Sequence, residues 1–300
     1  MNAGPPIAST EAVDETCAGI DGWPVDRILE ALLEHQAEAI AAVRRALPQL
    51  DAAVGAAVPR LEAGGRLIYA GAGTSGRLGT QDGVELTPTY SWPPERCVFL
   101  IAGGDAALTR SVEGAEDDAA AGAARIAAAG AGPADVVIAV AASGATPFVV
   151  AAARRAREAG ALVVGISCNP GAPLLAASDM PVLLDTGPEA IAGSTRLKAG
   201  TAQKAALNLL STALMVRMGR VYRGLMVEMQ ASNDKLRRRA VRMLSRIGGC
   251  DETAAREALA AAGGDLKVAI LVVLDGLEPA QARQRLAAVG GRVRAARGGR

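Results

Sequence analysis

"LIYAGAGTSGRLGTQDGVELTPT", Leu67 to Thr89, decides the fold. "LIYA" reads as a strand buried on both faces, because its apolar residues run without polar alternation. It enters "GAGTSG", Gly71 to Gly76, a glycine-rich turn that opens a helix. Glycine lets backbone approach a ligand closely, and the first amides of a helix attract phosphate. The turn carries Thr74 and Ser75, and Glu85 follows within about three helical turns. A strand, a glycine turn and a helix in this order begin an α/β fold that binds an anion.

The pattern repeats outward. "RCVFLIAG", "DVVIAVAAS", "ALVVGISCN" and the shorter "MPVLLD" read as four further strands, with helical stretches such as Thr146 to Gly160 between them. Alternating strands and helices predict a five-stranded parallel sheet in a three-layer α/β/α domain. Upstream, Val25 to Gly65 reads as two helices broken near Pro48, after an irregular start punctuated by Pro5, Pro6 and Pro24. The helix from Lys198 to Gly219 closes the sheet domain. Beyond about Met229 the strand pattern stops, and short helices ended by glycines follow. The boundaries are therefore drawn at 1–57 for the N-terminal segment and helices, 58–225 for the sheet domain, and 226–300 for a small C-terminal helical domain.

Composition narrows the function. The 32 basic and 31 acidic residues nearly cancel, and aromatic residues are only 2%, so neither a nucleic-acid nor a membrane partner is expected. The basic run Lys235 to Arg239 reads as a solvated helix face. No run of about 18 apolar residues predicts a membrane span, and the acidic N-terminus lacks the apolar core of a secretory signal. Cys17, Cys97, Cys168 and Cys250 are far apart, with neither metal-site nor disulfide-framework spacing, which suits a reducing, cytoplasmic setting. His35 is the single histidine, has no nearby partner in sequence and reads as a surface residue, so histidine-based metal or triad chemistry is not expected.

A second strand ends in chemistry like the first. "ASGATP", Ala142 to Pro147, offers Ser143, Gly144 and Thr146 before another helix. Any one such turn is more often a plain helix start with a Ser or Thr cap. Gly71, Gly73 and Gly76 also match the dinucleotide pattern G-x-G-x-x-G, but Asp105 lies about thirty residues beyond the turn instead of the usual twenty or so. Two hydroxyl loops on neighbouring strands suit a compact phosphosugar.

These loops resemble those of sugar isomerase (SIS) domains. The resemblance is closer to the N-acetylmuramic acid 6-phosphate etherase family, carried by "LIYAGAGTSGRLG", "SVEGAEDDA", "VVGISCNPGAPL" and "GSTRLKAGTAQKAALNLLSTALM", and extended by "ASNDKLRRRAVRML" and "AGGDLKVAI". It covers the chain from about residue 10 to its end. It implies removal of D-lactate from C3 of N-acetylmuramic acid 6-phosphate, giving N-acetylglucosamine 6-phosphate. In the open-chain sugar, the C1 aldehyde acidifies the C2 proton. A base takes that proton, an acid protonates the departing ether oxygen, and water adds back at C3. The cycle needs two proton-transfer groups and no metal or redox cofactor.

By resemblance, Glu85 is the acid and Glu116 the base. On spacing alone, Glu116 reads as part of an acidic helix start beside Glu113, Asp117 and Asp118. The resemblance also implies substrate contacts at Gly73, Thr74, Ser75, Ser143, Gly144, Thr146, Ser194, Thr195 and Lys198, and a homodimer with shared active sites. Ser194 and Thr195 also read as caps of the helix that follows, and Arg196 and Lys198 as counter-charges. Four positions depart from the family pattern. Asp14 and Cys17 stand for an expected Asn and Thr, Gly83 for an alanine, and Ala145 for a common arginine. Two rival readings use the same fold: a phosphosugar isomerase, which needs no acid aimed at C3, and a non-catalytic sugar-phosphate sensor.

Overall fold

The computed structural model describes residues 8–228 and 234–299. The expected prolines at 5 and 6 and the quoted residues Ala231 to Asn233 lie outside them. The described chain forms two compact units. Of the described residues, one unit comprises 8–84 and 94–211; the other comprises 85–93, 212–228 and 234–299. The N-terminal helices thus share a unit with the sheet, although the sequence places a boundary at residue 57.

In the first unit, α1 (Val25–Arg45) and α2 (Leu47–Glu62) precede the sheet. The break falls at Ala46, and Pro48 sits in the first turn of α2, where its missing N–H would have no helical partner anyway. Then follow β1 (Leu67–Gly71), α3 (Gly73–Val84), α4 (Leu86–Tyr90, in the second unit), β2 (Cys97–Ile101), α5 (Ala119–Ala128), β3 (Val136–Val140), α6 (Pro147–Glu158), β4 (Leu162–Ser167), α7 (Pro173–Ala176), β5 (Met180–Leu183) and α8 (Lys198–Arg217). The five strands pair in parallel in the order β2-β1-β3-β4-β5.

Strand alternation divides the core. Ile68, Ala70, Val137, Ala139 and Val163 face Ile126 of α5 and Phe148 and Ala152 of α6. Tyr69 points the other way, onto Gly79 and Gly83 of α3. β1 leads to β2 in one direction along the sheet, and β3 leads to β4 in the other. The carboxyl ends of β1 and β3 therefore meet at the switch point of the fold, where α/β proteins bind ligands.

His35 departs from the surface position its isolation in sequence predicts. It is buried, with 7% exposure, because the 3₁₀ turns before α1 fold back over it. Cys17 Sγ lies 3.5 Å and Asp14 Oδ2 3.4 Å from His35 Nε2.

The second unit is mainly helical: α9 (Asp234–Gly248), α10 (Glu252–Ala261), α11 (Leu266–Asp275), α12 (Pro279–Ala287) and α13 (Val293–Ala296). Leu244, Ile247, Leu266, Ile270 and Leu286 build its core. Asp251 and Asp265 cap α10 and α11. Lys235, Arg238 and Arg239 are exposed. The sequence reading had no strands here, yet β6 (Val221–Tyr222) and β7 (Leu225–Met226) form a hairpin. Arg223 and Gly224 both take positive φ, 48° and 75°, the conformation a two-residue hairpin turn demands.

Candidate active site

The two hydroxyl loops share one cavity. It measures about 500 Å³ and is bounded by Gly73, Thr74 and Ser75 after β1, by Ser143 and Thr146 after β3, and by Glu116 and Thr195. That volume suits a small ligand. A second cavity of about 400 Å³ shares Gly73, Thr74 and Glu116 with it.

The three glycines of "GAGTSG" do different work. A Cβ on Gly71 would stand 2.7 Å from Gly76 Cα, and one on Gly76 would stand 2.7 Å from Ile101 Cγ1. These two let α3 start hard against the sheet. Gly73 has φ +50° with open space beside it, so it alone of the three faces the cavity.

Asp82 holds α3 in place. Its carboxylate accepts hydrogen bonds from the Tyr69 hydroxyl at 2.9 Å, Asn208 Nδ2 at 2.6 Å and Ser211 Oγ at 3.0 Å. Burial pushes the Asp82 carboxyl above the ordinary carboxylate range, against those three donors. Ser75 Oγ donates to Gln203 Oε1 of α8 at 2.9 Å. Across the cavity, Ser143 Oγ and Thr146 Oγ1 lie 3.4 Å apart, and Ala145 N donates to Ser143 Oγ at 3.2 Å. Thr146 immediately precedes α6, so the amides of that helix start add to the hydroxyls.

Gly144 does not line the cavity. Its φ is +64°, and a Cβ there would meet Ser167 Oγ at 2.3 Å, so it seats the loop on β4. Ser194 is also outside the lining. Lys198 is 2% exposed, its Nζ donating to Glu38 Oε2 at 2.7 Å, and it too is absent from the lining. Ser194 and Thr195 do not cap α8. The buried Glu189 does, accepting from Lys198 N at 2.9 Å and Ala199 N at 2.8 Å. Arg196 is exposed.

Glu116 stands in the 3₁₀ turn Ala115–Asp117, entered through Gly114 at φ +71°. It borders both cavities. Glu85 is exposed and precedes α4; among the described residues it lines neither cavity. α3 itself carries the chain about 18 Å from Gly73 to Val84.

Three residues of this region were not singled out from sequence. Glu11 and Asp117 line the first cavity. Asn169 is buried and clamps the N-terminal segment, accepting from Ser9 Oγ at 2.7 Å and Thr10 N at 3.2 Å and donating to Ala142 O at 3.0 Å. Its position in "ISCNPG" was the only available signal. Burial pushes the Cys97 and Cys168 thiols up to about 12, which keeps both protonated and unreactive.

Residues 49–157 match the family model for the glucokinase regulatory protein N-terminal SIS domain, and residues 119–213 match the SIS domain. A relative named N-acetylmuramic acid 6-phosphate etherase, from Deinococcus radiodurans, is 59% identical over 268 residues, covering 89% of this chain and 88% of its own. The chain belongs to the N-acetylmuramic acid 6-phosphate etherase family. A relative of the same name from Symbiobacterium thermophilum is 51% identical, covering 86% of each chain. Among solved structures, a phosphoheptose isomerase from Francisella tularensis superposes with a TM-score of 0.50 at 19% identity, covering 65% of this chain and all of its own, which shows the shared fold.

Proposed function

We propose that this chain cleaves the D-lactyl ether of N-acetylmuramic acid 6-phosphate by eliminating D-lactate and adding water, a carbon–oxygen lyase reaction giving N-acetylglucosamine 6-phosphate. The observation that carries this is the 59% identity to the Deinococcus radiodurans etherase across nearly nine-tenths of the chain. The cavity supports it: hydroxyls from two loops and a carboxylate border one space of phosphosugar size.

In this reading the 6-phosphate rests against Thr74, Ser75, Ser143 and Thr146 and the start of α6. Gly73 lets the backbone approach, and Gly144 holds the second loop in shape. Thr195, with Ser194 beside it, borders the sugar. Lys198 pins α8 to Glu38 of α1. No basic side chain lines the first cavity among the described residues. Neutral donors and the helix start therefore carry the phosphate.

Glu116 takes the C2 proton, and the electrons pass into the C1 carbonyl. Glu85 gives a proton to the lactate oxygen as the C3–O bond breaks. Water then adds to C3 of the unsaturated aldehyde: Glu85, now ionised, takes the proton the water loses, and Glu116 gives its proton back to C2, so both groups return to their starting state. A carboxyl group donates well near neutral pH when burial or a neighbouring anion retains its proton, and the bound phosphate and lactate supply such anions.

Glu85 acts in a site completed by a second copy of the chain. An exposed apolar stripe supports that homodimer: Val25, Leu29, Leu33 and Ile40 lie on one face of α1. Four free cysteines and no helix able to cross a membrane among the described residues favour the cytoplasm.

The deciding experiment is incubation with N-acetylmuramic acid 6-phosphate and an assay for D-lactate. Release of lactate together with N-acetylglucosamine 6-phosphate is expected. Binding of the substrate without any lactate under varied conditions would sink the reading in favour of a sensor.

A further inference from the structure

We propose that Asp14, Cys17 and His35 form a zinc-class metal site that fastens the N-terminal wall of the cavity to α1. Linear spacing gives no sign of it, because His35 is 18 residues beyond Cys17 and on a different element. Folding brings one oxygen, one sulfur and one nitrogen within 4.8 Å of one another.

The Cys17–His35 separation is also within hydrogen-bond reach for sulfur, and the two separations together suit a shared cation. Asp14 Oδ2 lies 3.4 Å and Cys17 Sγ 3.5 Å from the same atom, His35 Nε2. An N–H···O bond normally spans about 2.7–3.2 Å, and a single ring nitrogen carries at most one proton for two neighbours. Zinc binds sulfur at about 2.3 Å and nitrogen or oxygen at about 2.0–2.1 Å, so the edges of its tetrahedron are about 3.5 Å for S···N and about 3.4 Å for N···O. Both observed separations match those edges.

The surroundings are arranged for ligation. Cys17 is 4% exposed and His35 7%. Asp14 is oriented by Thr16, whose backbone N and Oγ1 donate to Oδ1 at 2.9 and 2.6 Å. That leaves Oδ2 for the metal, the bracing that ligating carboxylates receive. On binding, an S–Zn bond forms as the Cys17 thiol proton leaves to solvent. A dication then meets one thiolate and one carboxylate, so the site is neutral. Thiolate and imidazole select zinc-class ions over magnesium or calcium. Three protein ligands leave the fourth position to water. Among the described residues His35 Nδ1 is buried without a hydrogen-bond partner, so the histidine lacks the outer brace that tightens metal binding.

The site's place suggests its use. Asp14 and Cys17 continue the segment whose Thr10 is clamped by Asn169 and whose Glu11 lines the cavity. A metal ties the far end of that segment to α1, so the wall has two anchors.

The test is titration of the full chain, first stripped with chelator, with cobalt(II) and with zinc(II). One equivalent is expected to bind, cobalt giving a thiolate charge-transfer band and excess zinc raising Tm by a few degrees. X-ray absorption of the zinc form should show one sulfur at about 2.3 Å and otherwise N/O ligands. Cys17→Ser and His35→Gln should each lose the band and weaken zinc binding more than about tenfold, whereas Cys250→Ser retains both. No stoichiometric binding by the unaltered chain, or a zinc shell with no sulfur or several, overturns the proposal. A band that survives in folded Cys17→Ser does the same. All these readouts are independent of lactate release, so failure here leaves the lyase reading standing, and the reverse also holds.

Discussion

Gly83 lies against the ring of Phe99: a Cβ added there would stand 2.4 Å from Phe99 Cε1 and 2.8 Å from Tyr69 Cε2. Tyr69 and Phe99 stack with centroids 5.9 Å apart, and the Tyr69 hydroxyl is held by Asp82. Glycine at position 83 therefore accommodates a neighbouring ring.

This relationship couples the two positions. Alanine at position 83 gains about 1 kcal/mol of helix propensity, while overpacking a fitted interior costs about 1–3 kcal/mol. Gly83→Ala should lower stability by up to about 2 kcal/mol in the native background. In a Phe99→Leu background the loss should shrink, and the contact with Tyr69 Cε2 at 2.8 Å keeps part of it. Urea unfolding of the four chains of this cycle checks it.

The two glutamates should fail differently. Glu116→Gln is expected to lower lactate release by about 10²–10⁴-fold and to suppress exchange of the C2 proton with solvent. Glu85→Ala should abolish lactate release and still allow that exchange. Deuterium incorporation at C2, followed by NMR alongside a lactate assay, separates them. Normal turnover by Glu85→Ala would remove it from the acid role.

The loop hydroxyls act in binding. A hydrogen bond to a charged group contributes about 1.5–3 kcal/mol. Ser143→Ala and Thr146→Val should therefore each raise KM about ten- to a hundredfold, with kcat changing far less. Inorganic phosphate should weaken as a competitive inhibitor in parallel. A fall in kcat alone would mean that these side chains orient the reacting carbons instead.

The sheet domain should weaken in acid through Asp135. Its carboxylate accepts from Arg66 N at 2.9 Å, Arg66 Nη2 at 2.7 Å and Gly132 N at 3.0 Å. Burial alone would raise its pKa; these donors outweigh burial and hold it below the ordinary range. The folded state thus favours the ionised form. That stabilisation is complete above the unfolded value of about 4 and disappears as pH falls through the lower folded value. Asp135→Asn should cost about 1–3 kcal/mol near neutral pH, and the gap should close in stronger acid. Denaturant midpoints across that range provide the measurement.

Much was legible in the sequence because it was written locally. Unbroken apolar runs such as "VVIAV" marked strands buried on both faces, and all five appear where those runs stand. "GAGTSG" and "ASGATP" announced their turns, since positive φ at Gly73 and Gly144 calls for glycine. The hairpin at Val221 to Met226 escaped because each strand has only two residues, too few for any period. The α8 cap escaped because Glu189 reaches it from outside the helix, while Ser194 and Thr195 sat where a local cap belongs.

The chain's order of apolar runs and glycine turns determined the fold class, the two loops at the switch point and the family. Backbone preference and burial act over neighbouring residues, so a linear pattern suffices to express them. Only the tertiary structure decided that Lys198 pairs with Glu38, that Gly83 makes room for Phe99, and that Asp14, Cys17 and His35 meet at one point. Such contacts depend on how far apart two elements pack and which way each side chain points, and spacing along the chain carries neither quantity.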